Sequence, residues 1–235
     1  MQLFYAPEIA RDINVLSPEE SHHCIHVLRH KVGDTIHLID GVGKFYKVLI
    51  TKASLKACEY EILEIVQSEQ EPPVNIHLAV APTKNIERWE WMLEKATELG
   101  VSQITPLMTK RTERANLRIE RLQKIILSAT KQSLKAIVPV LHPPTGFTQL
   151  LSNQLQTTGI QKLIAVIDDN NLHLWRVYTK SNDALILIGP EGDFTPEEIE
   201  LAYQNGFSPV SLGRSRLRTE TAAIAACHTL NMLNE

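Results

Sequence analysis

From residue 76 onward, short runs of Ile, Val, Leu and Ala alternate with stretches of helical periodicity. The apolar runs lie at 76–81, 103–108, 138–141, 163–167, 184–188 and 210–212. Between the first two, Ile86, Trp89, Met92, Leu93, Ala96 and Leu99 recur at the spacing of one helix face, and Gly100 supplies a stop. Leu117, Ile119, Leu122, Ile125, Ile126 and Ala129 mark a second helix. Further helices are predicted over 147–155, over 195–205 from the start Thr195-Pro196-Glu197-Glu198, and over 219–233. Continuous apolar strands alternating with helices need both sheet faces covered, so this part is predicted to be α/β with a mainly parallel sheet. It is too short for an eight-stranded barrel.

The first 70 residues follow another pattern. A strand is predicted at 3–6, and Ser17-Pro18-Glu19-Glu20 reads as a capping box opening a helix that runs to about His30. Strands follow at 35–40, 44–51 and 57–66, with a hairpin turn at Asp40-Gly41-Val42-Gly43. Short strands around one helix predict a small β-barrel-like domain. The polar segment 68–73 ends in two prolines and is the predicted linker, which gives domains at 1–70 and 74–235.

Hydrophobic residues make up 43% and charged residues 22%, enough apolar content to exclude disorder as the main state. No apolar run reaches the ~20 residues of a membrane span. The N-terminus has neither a basic region nor a long apolar one, which predicts a cytoplasmic protein with no membrane partner. Cys24, Cys58 and Cys227 are few and scattered, which argues against a disulfide scaffold and a thiolate zinc site. His22, His26 and His30 would share a helix face with Glu19. With no cysteine near and Glu19 explained as a first-turn acid, no metal site is expected.

No GxxxxGK[ST] and no GxGxxG after a strand occurs, so the common phosphate-binding loops are excluded. Two other glycine loops sit at predicted strand ends: Gly189-Pro190-Glu191-Gly192-Asp193, and Leu212-Gly213 leading into Leu217-Arg218-Thr219-Glu220-Thr221-Ala222. Ligands of open α/β sheets bind at the carboxyl ends of strands, where glycine lets them approach the backbone. The plain alternative is a pair of strand–helix turns needing positive φ. Arg218 and Glu220 beside a glycine-containing strand end favour a site.

In order along the chain, these loops resemble the SPOUT (trefoil-knot) methyltransferases, and within them the RsmE family of bacterial 16S ribosomal RNA uridine-N3 methyltransferases. The resemblance also rests on His22-His23 with Val27-Leu28-Arg29, on 94–101 (Glu-Lys-Ala-Thr-Glu-Leu-Gly-Val), and on Arg111-Thr112-Glu113-Arg114. It implies a PUA-like N-terminal domain used for RNA, a C-terminal trefoil-knot domain, S-adenosylmethionine as cofactor, and a homodimer. The partner it implies is 16S ribosomal RNA or the small ribosomal subunit. Departures are Asp193, where the family usually has glycine, Gln2 for a frequent arginine, Lys131 for a usual glutamate and Lys135 for a usual arginine.

From this resemblance Gly189, Pro190, Glu191, Gly192, Leu212, Gly213, Leu217, Thr221 and Ala222 are the expected cofactor residues. Methylating an imide nitrogen requires loss of its proton while charge spreads onto the flanking carbonyls. Arg218 is the expected cation for that charge, and Glu220 the proton acceptor or its orienter. Net charge is −3, yet residues 110–135 carry eight basic against two acidic side chains. Arg111 and Arg114, on a strand-exit loop, are expected to meet RNA phosphates; Arg29 with Lys31 forms a second patch or offsets the helix dipole, and His22 is a structural or RNA-facing residue of the first domain. Trp89, Trp91 and Trp175 read as packing or dimer-surface residues, and Cys227 as a buried apolar residue. Competing readings are an RNA-binding module of the same fold without catalysis, and a small-molecule α/β enzyme.

Overall fold

The computed structural model describes all residues except 12, 69–72, 154–158 and 169. Most of the predicted linker, and the last two residues of the helix predicted at 147–155, therefore lie outside the described residues. The chain groups into two compact units, 1–71 with 127–138, and 72–126 with 139–235.

In the first unit, β1 (Leu3–Tyr5), β2 (Thr35–Ile39), β3 (Lys44–Lys52) and β4 (Glu59–Gln67) form one sheet in that order. β1 runs parallel to β2 and the other pairs are antiparallel. The predicted hairpin is held by Asp40, whose Oδ1 accepts from the N–H groups of Val42, Gly43 and Lys44. Phe4, Leu16, Cys24, Leu38, Val48 and Cys58 belong to its core.

The first helix departs from expectation twice. Ser17 accepts from the Glu20 N–H, but the Glu20 carboxylate does not return the bond; it accepts from Lys131 Nζ at 2.6 Å. The capping box is therefore half formed, because a cation competes for the glutamate. α1 covers Pro18–His22, after which the chain widens to a π turn over His23–Val27. Arg29 then takes a left-handed φ of 61°, ending the helix before His30.

In the second unit every strand pair is parallel. The strands are β5 (Ile76–Val80), β6 (Gln103–Met108), β7 (Val140–Leu141), β8 (Thr145–Gly146), β9 (Ile160–Ala165), β10 (Asp183–Ile188) and β11 (Ser208–Val210). Their order is β11-β9-β10-β5-β6-β7, with β8 also on β6. The helices are α2 (Ile86–Glu98), α3 (Ile119–Gln132, which ends in the first unit), α4 (Phe147–Asn153), α5 (Leu174–Val177), α6 (Pro196–Gln204) and α7 (Thr219–Asn234). β11 begins two residues earlier than predicted and ends at Val210, which puts Leu212 on a loop. β9 is likewise displaced toward the N-terminus, and α5 was not signalled by periodicity because it is a single turn.

α6 carries the full capping box: Thr195 accepts from the Glu198 N–H, and Glu198 accepts from the Thr195 N–H. The other Glu198 oxygen accepts from the Lys110 N–H at 2.8 Å, tying α6 to the loop after β6. α7 packs on α2, where Cys227 is buried and Asn231 donates to the Leu99 carbonyl. After β7 and β8 on the β6 side of the sheet, the chain crosses to β9 on the other side, and because β9, β10 and β11 run parallel the loops that follow them gather at one sheet end.

Candidate active site

Those loops enclose a cleft of about 690 Å³. Three stretches wall it: residues 165–168 with 171–173, 175 and 176; residues 188–191 with 193; and residues 210–219 with 222. Ile188, Val210 and Leu212 supply apolar surface, while glycines bring the backbone close.

The loop after β10 is built around a buried glycine. A Cβ on Gly189 would come within 3.3 Å of Asp193 and Phe194, so a side chain there would need these neighbours to give by a few tenths of an ångström. Asp193 takes φ 60°, accepts from the Phe194 N–H at 2.8 Å and donates its own N–H to the Pro190 carbonyl. Aspartate is among the few residues that tolerate this backbone region, so it fills a place suited to glycine. The Arg111 guanidinium donates to the carbonyls of Gly192 and Phe194. Glu191 accepts from the Lys84 N–H at 3.0 Å, and Arg114 donates to the Lys84 carbonyl. Glu113, 2.9 Å from Lys84 Nζ, holds that ammonium above its ordinary pKa.

The loop after β11 is tied on its other side. Ser211 exchanges backbone bonds with Leu172 and Leu174, which sets α5 against the cleft. Gly213, at φ 128°, donates its N–H to Ser211 Oγ. The Thr219 hydroxyl donates to the Gly189 carbonyl, joining the start of α7 to the loop after β10.

The structure thus brings Gly189, Pro190, Glu191, Leu212, Gly213, Leu217, Arg218 and Ala222 together around one cleft. Gly192 sits on the same loop under Arg111. Glu220 and Thr221 line an adjoining cleft of about 600 Å³, which shares Leu217 and Arg218 with the first. Arg218 is the N-cap residue of α7 and makes no side-chain cap bond. Glu220 is buried, with its carboxylate 3.9 Å from Arg88 Nε. His22 and Arg29 lie on the first unit, both exposed, with the His22 ring stacked on His26. Among the described residues, no group of three or more His, Cys, Asp or Glu side chains is placed to hold a metal, and no helix is long and apolar enough to cross a membrane.

Sequence reasoning missed several contributors. Asp168, His173, Trp175 and Arg176 wall the larger cleft from a stretch with no motif; Asp168 follows β9, and the other three stand at the single-turn α5, with His173 bridged to Ser211. Arg88 reads from sequence as one more polar position on α2. Its approach to Glu220 arises because α7 packs on α2.

Residues 70–231 match the family described as RNA methyltransferase domain, and residues 16–63 match the RNA methyltransferase PUA domain. With its parallel sheet and loop cleft the chain is thus an RNA methyltransferase of the SPOUT class with a PUA-like first unit. The ribosomal RNA small subunit methyltransferase E of Synechocystis is 32% identical, over 100% of this chain and 78% of that protein. Among solved structures, a probable rRNA-methyltransferase from Porphyromonas gingivalis has a TM-score of 0.91 at 40% identity, covering 99% of both chains. The ribosomal RNA small subunit methyltransferase E from Neisseria gonorrhoeae, solved bound to S-adenosyl methionine, has a TM-score of 0.89 at 32% identity, covering 100% of this chain and 98% of that one. The chain belongs to the ribosomal RNA small subunit methyltransferase E family.

Proposed function

We propose that the protein methylates N3 of a uridine in 16S ribosomal RNA with S-adenosylmethionine as donor, acting in the cytoplasm as a homodimer. The observation that carries this reading is the cleft at the ends of β9, β10 and β11, where the two glycine loops converge with Arg218 at its rim. Its volume lies in the usual range for a small-molecule site, about 300–1,000 Å³. Close backbone at Gly189 and Gly213, with apolar walls at Ile188, Val210 and Leu212, fits an adenosine and a short aliphatic tail.

Gly189, Pro190, Glu191, Gly192, Leu212, Gly213, Leu217, Thr221 and Ala222 hold the cofactor in this reading. When bound, S-adenosylmethionine supplies a methyl group on a sulfonium, an activated carbon whose leaving group is a neutral thioether. Arg218 places its guanidinium against the uracil carbonyl that gains charge as the N3 proton departs. Glu220 takes that proton or orients the group that does, with the Arg88 guanidinium 3.9 Å from its carboxylate. Arg111 and Arg114 brace the loop through backbone carbonyls and offer their outward faces to RNA phosphate. His22 and Arg29 extend RNA contact to a PUA-like RNA-binding domain over 1–70, with the methyltransferase domain over 74–235.

Calorimetric titration with S-adenosylmethionine tests the cofactor assignment. Saturable one-site binding that is lost when Gly213 is replaced by Val, in a variant that still folds, supports it. Absence of binding in the wild type rejects it.

A further inference from the structure

We propose that the smaller cleft beside the cofactor loops holds the target uracil against the indole face of Trp91. This rests on the methyltransferase reading above and names where the base sits. The cleft lies between the first turns of α2 and the segment 216–221. It shares Leu217 and Arg218 with the larger cleft, so a ring seated in it is next to the proposed catalytic cation.

Two tryptophans stand two residues apart on α2 with opposite fates. Trp89 is fully buried in the core, whereas Trp91 is 48% exposed. Trp91 lines the cleft together with Arg88, Arg216 and Arg218. The acids there are Glu87 and Glu220, and Glu220 faces Arg88 at 3.9 Å. Positive charge is therefore left over for phosphates on either side of an unpaired nucleotide. One aromatic platform among arginines is the chemistry that takes an unstacked RNA base. An enzyme that modifies a base edge has to receive the base out of its stack, and this cleft offers a replacement stacking partner.

The test compares Trp91→Ala, Trp91→Leu and Trp91→Phe in methyl transfer to small ribosomal subunits lacking the modification. S-adenosylmethionine affinity and oligomeric state are measured alongside by calorimetry and analytical ultracentrifugation. Ala and Leu are expected to lose roughly ten- to hundredfold in kcat/KM for RNA, the range for an aromatic side chain removed from a stacked base. Phe, which keeps a π face, is expected to stay within about threefold of wild type. Cofactor affinity and oligomeric state should not change in any variant. Wild-type kcat/KM in Ala, equal activity in Leu and Phe, or equal loss in all three overturns the proposal. So does a smaller oligomer in Trp91→Ala, which would make the indole an interface between copies. Wild-type protein that binds no cofactor and transfers no methyl group instead rejects the methyltransferase reading itself, and this inference with it.

Discussion

The Thr219 hydroxyl donates a hydrogen bond to the Gly189 carbonyl at 3.0 Å, and both residues are buried. One contact thus fixes the start of α7, which carries Arg218 and Glu220, to the loop after β10. The proposed catalytic side chains and the proposed cofactor loop cannot drift apart without breaking it.

Thr219→Val keeps the shape but leaves the Gly189 carbonyl without its donor. The cost of a buried acceptor left unpaired is about 1–3 kcal/mol. The expected result is a lower midpoint in urea unfolding and a weaker cofactor affinity in calorimetry, with Thr219→Ser restoring both.

Arg218→Ala removes an exposed cation that makes no cap bond, so the fold should tolerate it. Removing a group aimed at developing charge costs roughly 10²–10³ in turnover. Single-turnover methyl transfer should fall by that factor while the S-adenosylmethionine Kd stays within about threefold. Equal turnover in the variant would reject the catalytic assignment.

The pair Glu20 and Lys131, 2.6 Å apart with both side chains mostly buried, makes a prediction for the first unit. Lys131→Met leaves a buried carboxylate unpaired, and breaking such a pair typically costs about 3–5 kcal/mol. The double variant Glu20→Gln with Lys131→Met should recover most of that loss in chemical denaturation.

His77 on β5 sets a pH dependence. Its Nε2 lies 2.7 Å from Thr105 Oγ1, and its ring is 5.2 Å from that of His142. Burial, reinforced by His142, pushes the His77 pKa down to about 4 from an ordinary 6.5. Between those values the unfolded chain binds more protons than the folded one. Stability is therefore full above about pH 6.5 and declines as pH falls toward 4, by an amount on the order of 3 kcal/mol. Denaturation midpoints across that window should show the slope, and His77→Gln should flatten it.

The elements that were legible in the sequence are those whose burial imposes a pattern. β10 is a run of apolar residues because it lies between β9 and β5, and α6 announces itself through Thr195 and Glu198. The glycine loops were legible because Gly189 is packed tightly by Asp193 and Phe194 and Gly213 takes a positive φ. Signals failed where a tertiary partner decided the outcome. Glu20 had the spacing of a capping box, but Lys131, more than a hundred residues away, captures its carboxylate. The approach of Arg88 to Glu220 depends on two helices packing and leaves no trace in spacing. Asp193 stands where the family usually has glycine, and the structure shows it adopting the backbone region that glycine would use.

The most direct test of the account is transfer of a labelled methyl group from S-adenosylmethionine to small ribosomal subunits purified without the modification, with the product nucleoside identified by mass spectrometry. The account predicts label in 16S RNA as 3-methyluridine at one site, and its loss with Arg218→Ala. Label absent from the RNA, or found on another base or atom, would contradict it.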